Sequence, residues 1–132
     1  MIDQSSLDTR ILDDVADALI AADCVGTITR WNRASSALFG YSAEEALGQS
    51  LDLIIPEHLR AAHWKGFDAA VESGTMKLQG RPALTRAQHK DGRKLYIEMT
   101  FALVTDQGRE VLGAVAMARD VTERVMRERG KA

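Results

Sequence analysis

The side chains able to hold a metal or carry a proton at neutral pH are few: His58, His63, His89 and the single Cys24. Of these, only His63 has a spacing that places it out of water. It lies in the stretch from Pro56 to Gly74, PEHLRAAHWKGFDAAVESG. Pro56 suits a first helical turn, where the missing N–H costs nothing. Glu57 favours the positive end of the helix dipole, and Gly74 can take the left-handed conformation that ends a helix. Between these signals Leu59, Phe67 and Val71, with Ala62, Gly66 and Ala70 beside them, form one apolar stripe. His63 completes it, four residues after Leu59 and four before Phe67. His58 is about 140° away around the helix and is expected in water. An inward imidazole has two uses. It can donate an N–H to a carbonyl and help specify the core, or it can ligate a metal, haem iron being a standard case. The spacing leaves both open.

The remaining candidates point to less chemistry. His89 precedes the turn Lys90-Asp91-Gly92 and is expected to be exposed. Trp64 lies about 100° from His63, at the pocket rim or under the next helix. Met99 and Met117 fall in strand patterns and read as core filler. One cysteine allows no internal disulfide and no Cys-rich zinc site. No glycine-rich phosphate loop, Ser/His/Asp order or paired carboxylate site stands out, so no enzyme is expected.

The chain has 132 residues, 45% hydrophobic and 27% charged, with a formal net charge of −2. That is one domain with its own core. A nucleic-acid binder would need a basic face or stripe, and none is evident. No apolar run approaches the roughly 18 residues of a membrane span, and no signal peptide opens the chain. A cytoplasmic protein without a membrane segment is expected. Both ends read as connectors, which is equally consistent with a piece of a longer protein.

Stepping through the elements that must position His63, residues 5–15 have helical spacing in Leu7, Ile11, Leu12 and Val15. DALIAADCVGTITRWN reads as two strands around a Val25-Gly26 turn. RASSALFG is a short helix with Asn32 as a plausible cap, and Ser42 with Glu45 forms a capping box. SLDLII leads into the long helix. After it come a strand between Leu78 and His89, broken by Pro82, and an Asp-Gly hairpin turn. Next is the clearest strand, with Leu95, Ile97, Met99, Phe101 and Leu103 alternating with Lys94, Tyr96, Glu98, Thr100 and Ala102. A turn at Asp106–Gly108 leads to a last strand over 111–118, and 120–129 is helix-prone. The expected architecture is α+β: a five-stranded antiparallel sheet covered on one face by helices. A cavity between sheet and long helix, walled by Leu78, Met99, Phe101 and the His63 stripe, is where a cofactor would sit. The expected division is a helical extension over 1–15, the domain proper over 16–121 and a linker helix over 122–132.

Trp31-Asn32, Phe39-Gly40-Tyr41-Ser42 with Glu45 and Gly48, Lys90-Asp91-Gly92, and Arg119-Asp120-Val121-Thr122-Glu123-Arg124 together resemble a PAS domain, over residues 10–124. That resemblance implies a sensory module of signalling proteins which by itself catalyses nothing. Ile55-Pro56, Leu59-Arg60, His63 and the Lys-Asp-Gly turn are similar, more narrowly, to the haem-binding PAS domains of bacterial oxygen-sensing kinases and phosphodiesterases. The likeness implies haem b with His63 as proximal iron ligand, and a distal wall of Leu78, Met99 and Phe101. The distal arginine of those sensors falls on Ala83 and their distal methionine on Arg81, so Arg81 is the candidate distal donor, two positions early. Cys24 lies outside the helix that carries the reactive cysteine of flavin photoreceptor domains. The implied cofactor-binding set is thus His63, Leu59, Phe67, Leu78, Met99, Phe101 and Arg81. The implied partners are a diatomic gas, oxygen first, a second copy in a homodimer, and a downstream kinase or other output reached through the C-terminal helix. The alternatives are a cofactor-free dimerisation module, or a PAS domain holding FAD or another small organic ligand.

Overall fold

The computed structural model describes residues 3–76 and 80–130. Leu78 falls outside the described residues. Chain order is α1 (Gln4–Asp14), β1 (Ala18–Asp23), β2 (Ile28–Trp31), α2 (Arg33–Phe39), α3 (Ala43–Ala46), a 3-10 turn (Leu51–Ile54), α4 (Glu57–Ser73), β3 (Ala83–Gln88), β4 (Lys94–Thr105), β5 (Val111–Asp120) and α5 (Thr122–Gly130). The five strands form one antiparallel sheet in the order β2-β1-β5-β4-β3. The expected hairpin and the expected meander are both present, joined where β5 returns beside β1.

Local chemistry sets the element ends. Asp3 caps α1 through Ser6 N–H, and Asn32 caps α2 through Ser35 N–H. Ser42 and Glu45 make the reciprocal capping box of α3. Gly40 closes α2 at φ +84°, a conformation that costs a side-chain-bearing residue dearly. SLDLII, read as a lead-in, is a 3-10 turn capped by Ser50.

One sheet face carries the core. Ala18, Ile20, Leu95, Ile97, Met99 and Ala118 pack with Trp31, Phe39, Ala46 and Ile54 from β2, α2, α3 and the 3-10 turn. Trp31 and Phe39 stack tilted at 5.5 Å. Asn32 ties this layer together. Its Oδ1 accepts from Leu19 N–H, Ser35 N–H and Ser35 Oγ–H, while its Nδ2 donates to the carbonyls of Leu12 and Asp17. His89 corrects the sequence reading: its side chain is only 13% exposed, set against Gly40, where an added Cβ would overlap the ring. The absence of a side chain on Gly40 lets the β3–β4 turn dock on α2, and Lys90 N–H donates to the Phe39 carbonyl there.

Candidate functional site

The site is built from α4 upward. Among the described residues its N-terminal half is held by the 3-10 turn and the β1–β2 turn. Arg60 Nε donates to the Ile55 carbonyl at 3.0 Å and Nη2 to the Asp52 carbonyl at 3.2 Å. Trp64 Nε1 donates to Asp52 Oδ1 at 2.7 Å. The Trp64 ring lies on Gly26 so closely that a Cβ there would collide with it. The sequence left Trp64 at the rim or under a helix; it is the anchor of α4 instead. The signal for this was Asp52, twelve residues earlier, which periodicity does not connect to it.

That anchor rolls the helix. Leu59, His63, Phe67, Ala70 and Val71 are half-buried as the stripe requires, but so are Arg60 and Trp64, while Ala62 and Gly66 are exposed. The indole and its hydrogen bond outweigh the small residues for the inward side. No α4 residue is fully buried. His58 is exposed as expected. The His63 ring stands edge-on to Trp64 at 4.6 Å and tilted against Phe67 at 5.8 Å. Its Nδ1 is buried and has no hydrogen-bond partner among the described residues. Contacts with the Trp64 and Phe67 rings therefore orient the imidazole. Burial pulls its pKa below the ordinary value, with Asp52 and Asp68 opposing. At neutral pH the imidazole is in the uncharged form that ligates.

Facing the helices, β4 presents Met99, buried, and Phe101, half-buried. Their partners on β5 are Ala118 and Ala116, and Leu103 meets Ala114. Three alanines on alternate positions of the central strand leave this face low, and its Ala114–Ala116 end is only half-buried. The sequence reading missed them, although small residues at every second position of GAVAMA were their signal. Arg81 is not gathered with the rest. It is exposed, two residues before β3 begins at Ala83. Met117 points to the opposite face. Cys24 donates its thiol to the Val111 carbonyl at 3.2 Å, closing the end of β1.

Among the described residues, no group of three or more His, Cys, Asp or Glu side chains could hold a metal ion. A lone imidazole can retain iron only where a macrocycle supplies the other donors. One neutral, half-buried histidine packed against Trp64 and Phe67, with no rival ligand cluster among the described residues, fits haem and does not fit a bare metal ion.

The PAS fold profile matches residues 7–121. The chain is 29% identical over 92 residues to the oxygen sensor protein DosP of Escherichia coli K12, covering 70% of this chain and 11% of that protein. It is 26% identical over 113 residues to the sensor protein FixL of Bradyrhizobium diazoefficiens, covering 86% of this chain and 22% of that one. The chain thus spans less than a quarter of either relative. Among solved structures, a PAS domain from Colwellia psychrerythraea superposes with a TM-score of 0.79 at 29% identity, over 92% of this chain and all of that one.

Proposed function

The chain belongs to the PAS family of sensory signalling domains, and from that premise we propose that it is a haem-based sensor of a diatomic gas, oxygen first, with His63 as proximal ligand. The observation that carries the reading is the buried, unpartnered Nδ1 of an uncharged His63 on the half-buried stripe of α4. Similarity to an oxygen sensor protein supports the choice of gas.

In this reading the group lies between α4 and the open end of the inner sheet face. Haem held there through His63 would supply the iron that binds the gas. The chain's own residues do the rest. Asp52 holds Trp64 and Arg60, which bracket His63 in sequence and hold its turn of helix in place. Leu59 and Phe67 line the proximal side, and Met99, Phe101 and the β5 alanines exclude water from the other. Arg81, exposed ahead of β3, adds no charge to that wall as the chain is folded here. β4 and β5 lead directly to α5, so a change at the wall has a short covalent and hydrogen-bonded route to the output, which lies in another part of the protein or in a partner. A ligand drives that route only through its different contacts in two states.

The test is an absorption spectrum of protein expressed with haem supplied. The wild type should be red, with a Soret band. His63→Ala should keep its far-UV circular dichroism yet retain little haem, or hold it with an altered spectrum. A wild-type Soret band in His63→Ala refutes the ligand assignment. A colourless, folded wild type leaves a cofactor-free PAS domain.

A further inference from the structure

We propose that the cleft between α1 and β2 binds a small organic carboxylate. The guanidinium groups of Arg10 and Arg30 hold its charge, and its apolar body rests on Leu12, Leu19 and Trp31. The site is separate from the one proposed for haem.

The cleft has a volume of about 220 Å³ and lies between α1, β1, β2 and the start of α2. Its position follows from how α1 is fastened. Asn32 Nδ2 donates to the Leu12 carbonyl. Arg33 N–H donates to Asp13 Oδ1 at 3.1 Å and Arg33 Nη2 to Asp13 Oδ2 at 3.0 Å, with Asp14 Oδ1 3.3 Å from the same nitrogen. These bonds pin the last turn of α1 to the start of α2. The turn before it, with Thr9 and Arg10, has no side-chain bond to the sheet among the described residues, and the gap stays open there.

The chemistry of the walls selects the ligand. Leu19 and Trp31 are buried and Leu12 half-buried, which makes an apolar floor. Most polar side chains of the wall are already occupied. Asn32 makes five hydrogen bonds. The Trp31 indole N–H donates to Ser36 Oγ and the Tyr41 carbonyl, and Thr9 Oγ1 donates to the Ser5 carbonyl. Asp13 and Asp14 are neutralised by Arg33.

Two cations are the exceptions. Arg10 has no ion pair or side-chain hydrogen bond among the described residues. Arg30 has no carboxylate partner there and spends only Nη1, on the Thr29 carbonyl at 2.7 Å. Its Nε–Nη2 edge is left over, a fork that takes both oxygens of a carboxylate. Three arginines against two aspartates leave the cleft positive, in a chain of formal net charge −2. An anion is favoured over a zwitterion, because the acidic groups that would meet an ammonium are taken. The floor favours an apolar body over inorganic phosphate. A volume below the roughly 300–1,000 Å³ of drug-sized sites limits that body to one ring or a short branched chain.

Arg10 is on α1 and Arg30 on β2, so a carboxylate held by both ties the N-terminal helix to the sheet edge. β2 is three strand spacings from β4 in the sheet order, roughly 14 Å, and no cleft residue is among those proposed to hold haem. The chain thereby takes a second, independent input at α1.

Amide NMR spectra of the full chain, titrated with benzoate or isovalerate, test it. The Trp31 indole N–H and the amides of 9–14 and 30–33 should shift and saturate, equally in wild type and His63→Ala. Arg10→Gln and Arg30→Gln, both at exposed positions, should each raise the dissociation constant at least about tenfold, as loss of a charged hydrogen bond does. Should Arg30→Gln misfold, Arg30→Lys, which keeps the charge and loses the fork, should weaken binding in its place. Arg93→Gln, on the β3–β4 turn, should leave it unchanged. Benzyl alcohol, with the ring of benzoate and no charge, should bind at least about tenfold more weakly. No saturable shift with either carboxylate, shifts centred on α4, or a cleft variant binding as wild type would each overturn the proposal. So would an equal loss in Arg93→Gln, or benzyl alcohol or inorganic phosphate binding as well as benzoate.

Discussion

His63 shows how one side chain's position becomes a solution property. Burial holds its pKa below the ordinary 6.5, and Asp52 and Asp68 only partly offset this. The folded chain therefore binds fewer protons at this site than the unfolded chain between the depressed value and 6.5. Its stability is complete above about pH 6.5 and falls as pH drops through that window, because the unfolded state gains the proton more readily. Wild type without haem should lose more stability between pH 7.5 and pH 5.5 than His63→Gln, as read from urea midpoints. Equal losses would mean that the ring is hydrated in solution. Acid should also release haem, since the imidazolium has no lone pair to give.

At the scale of elements, two junctions stand out. Asn32 joins α1, β1 and α2 through one buried amide that makes five hydrogen bonds. Asn32→Ala strands several buried groups at once, and should cost about 2–4 kcal/mol in denaturant unfolding, above an ordinary cap loss. A loss under about 1 kcal/mol would show that water replaces the amide. The second junction is the exit from β5. Asp120 Oδ1 accepts from Thr122 N–H, Thr122 Oγ1 accepts from Tyr96 N–H and donates to the Tyr96 carbonyl, and Val121 N–H donates to that same carbonyl. α5 is thus riveted to the start of β4, the strand that carries Met99 and Phe101. Asp120→Ala or Thr122→Val should speed amide exchange through 122–129 while haem content stays at the wild-type level. Unchanged exchange in both would remove this junction from the relay.

For the whole molecule, the proposal makes haem a folding ligand. α4 has no fully buried residue and the inner sheet face is half-open at Ala114 and Ala116, so a flat apolar group would bury surface the protein leaves accessible. A ligand that binds only the folded state adds about 2.7 kcal/mol at a hundredfold excess over its Kd. For a domain of this size that is a rise in Tm of roughly 5–15 °C. Haemin should produce it in wild type and not in His63→Ala. A matching rise in both would place the haem elsewhere. The chain matches 11% of DosP and 22% of FixL; in the proposed scheme the domain's part is to change what α5 presents.

The sequence alone determined the element order, the single antiparallel sheet and the helix carrying His63. Those follow from local rules: alternation with period two, a stripe with period 3.6, and capping residues at fixed offsets. The Trp-Asn, Lys-Asp-Gly and Asp-Val-Thr stretches were legible for the same reason, since each does its work within a turn or a strand end. What only the tertiary structure decided is how α4 is rolled, where Trp64 goes and which residues make the sheet low. Those depend on Asp52 and Gly26, distant in sequence, and on β5 lying between β1 and β4. Periodicity counts a tryptophan and an alanine as apolar alike, whereas packing distinguishes them by volume and by the indole's need for an acceptor. His89 was misjudged for the same reason: a turn residue reads as exposed until a glycine on another helix leaves room for its ring. Arg81 shares the strand's parity, but Pro82 precedes the first paired residue, and without that pairing parity directs no side chain inward.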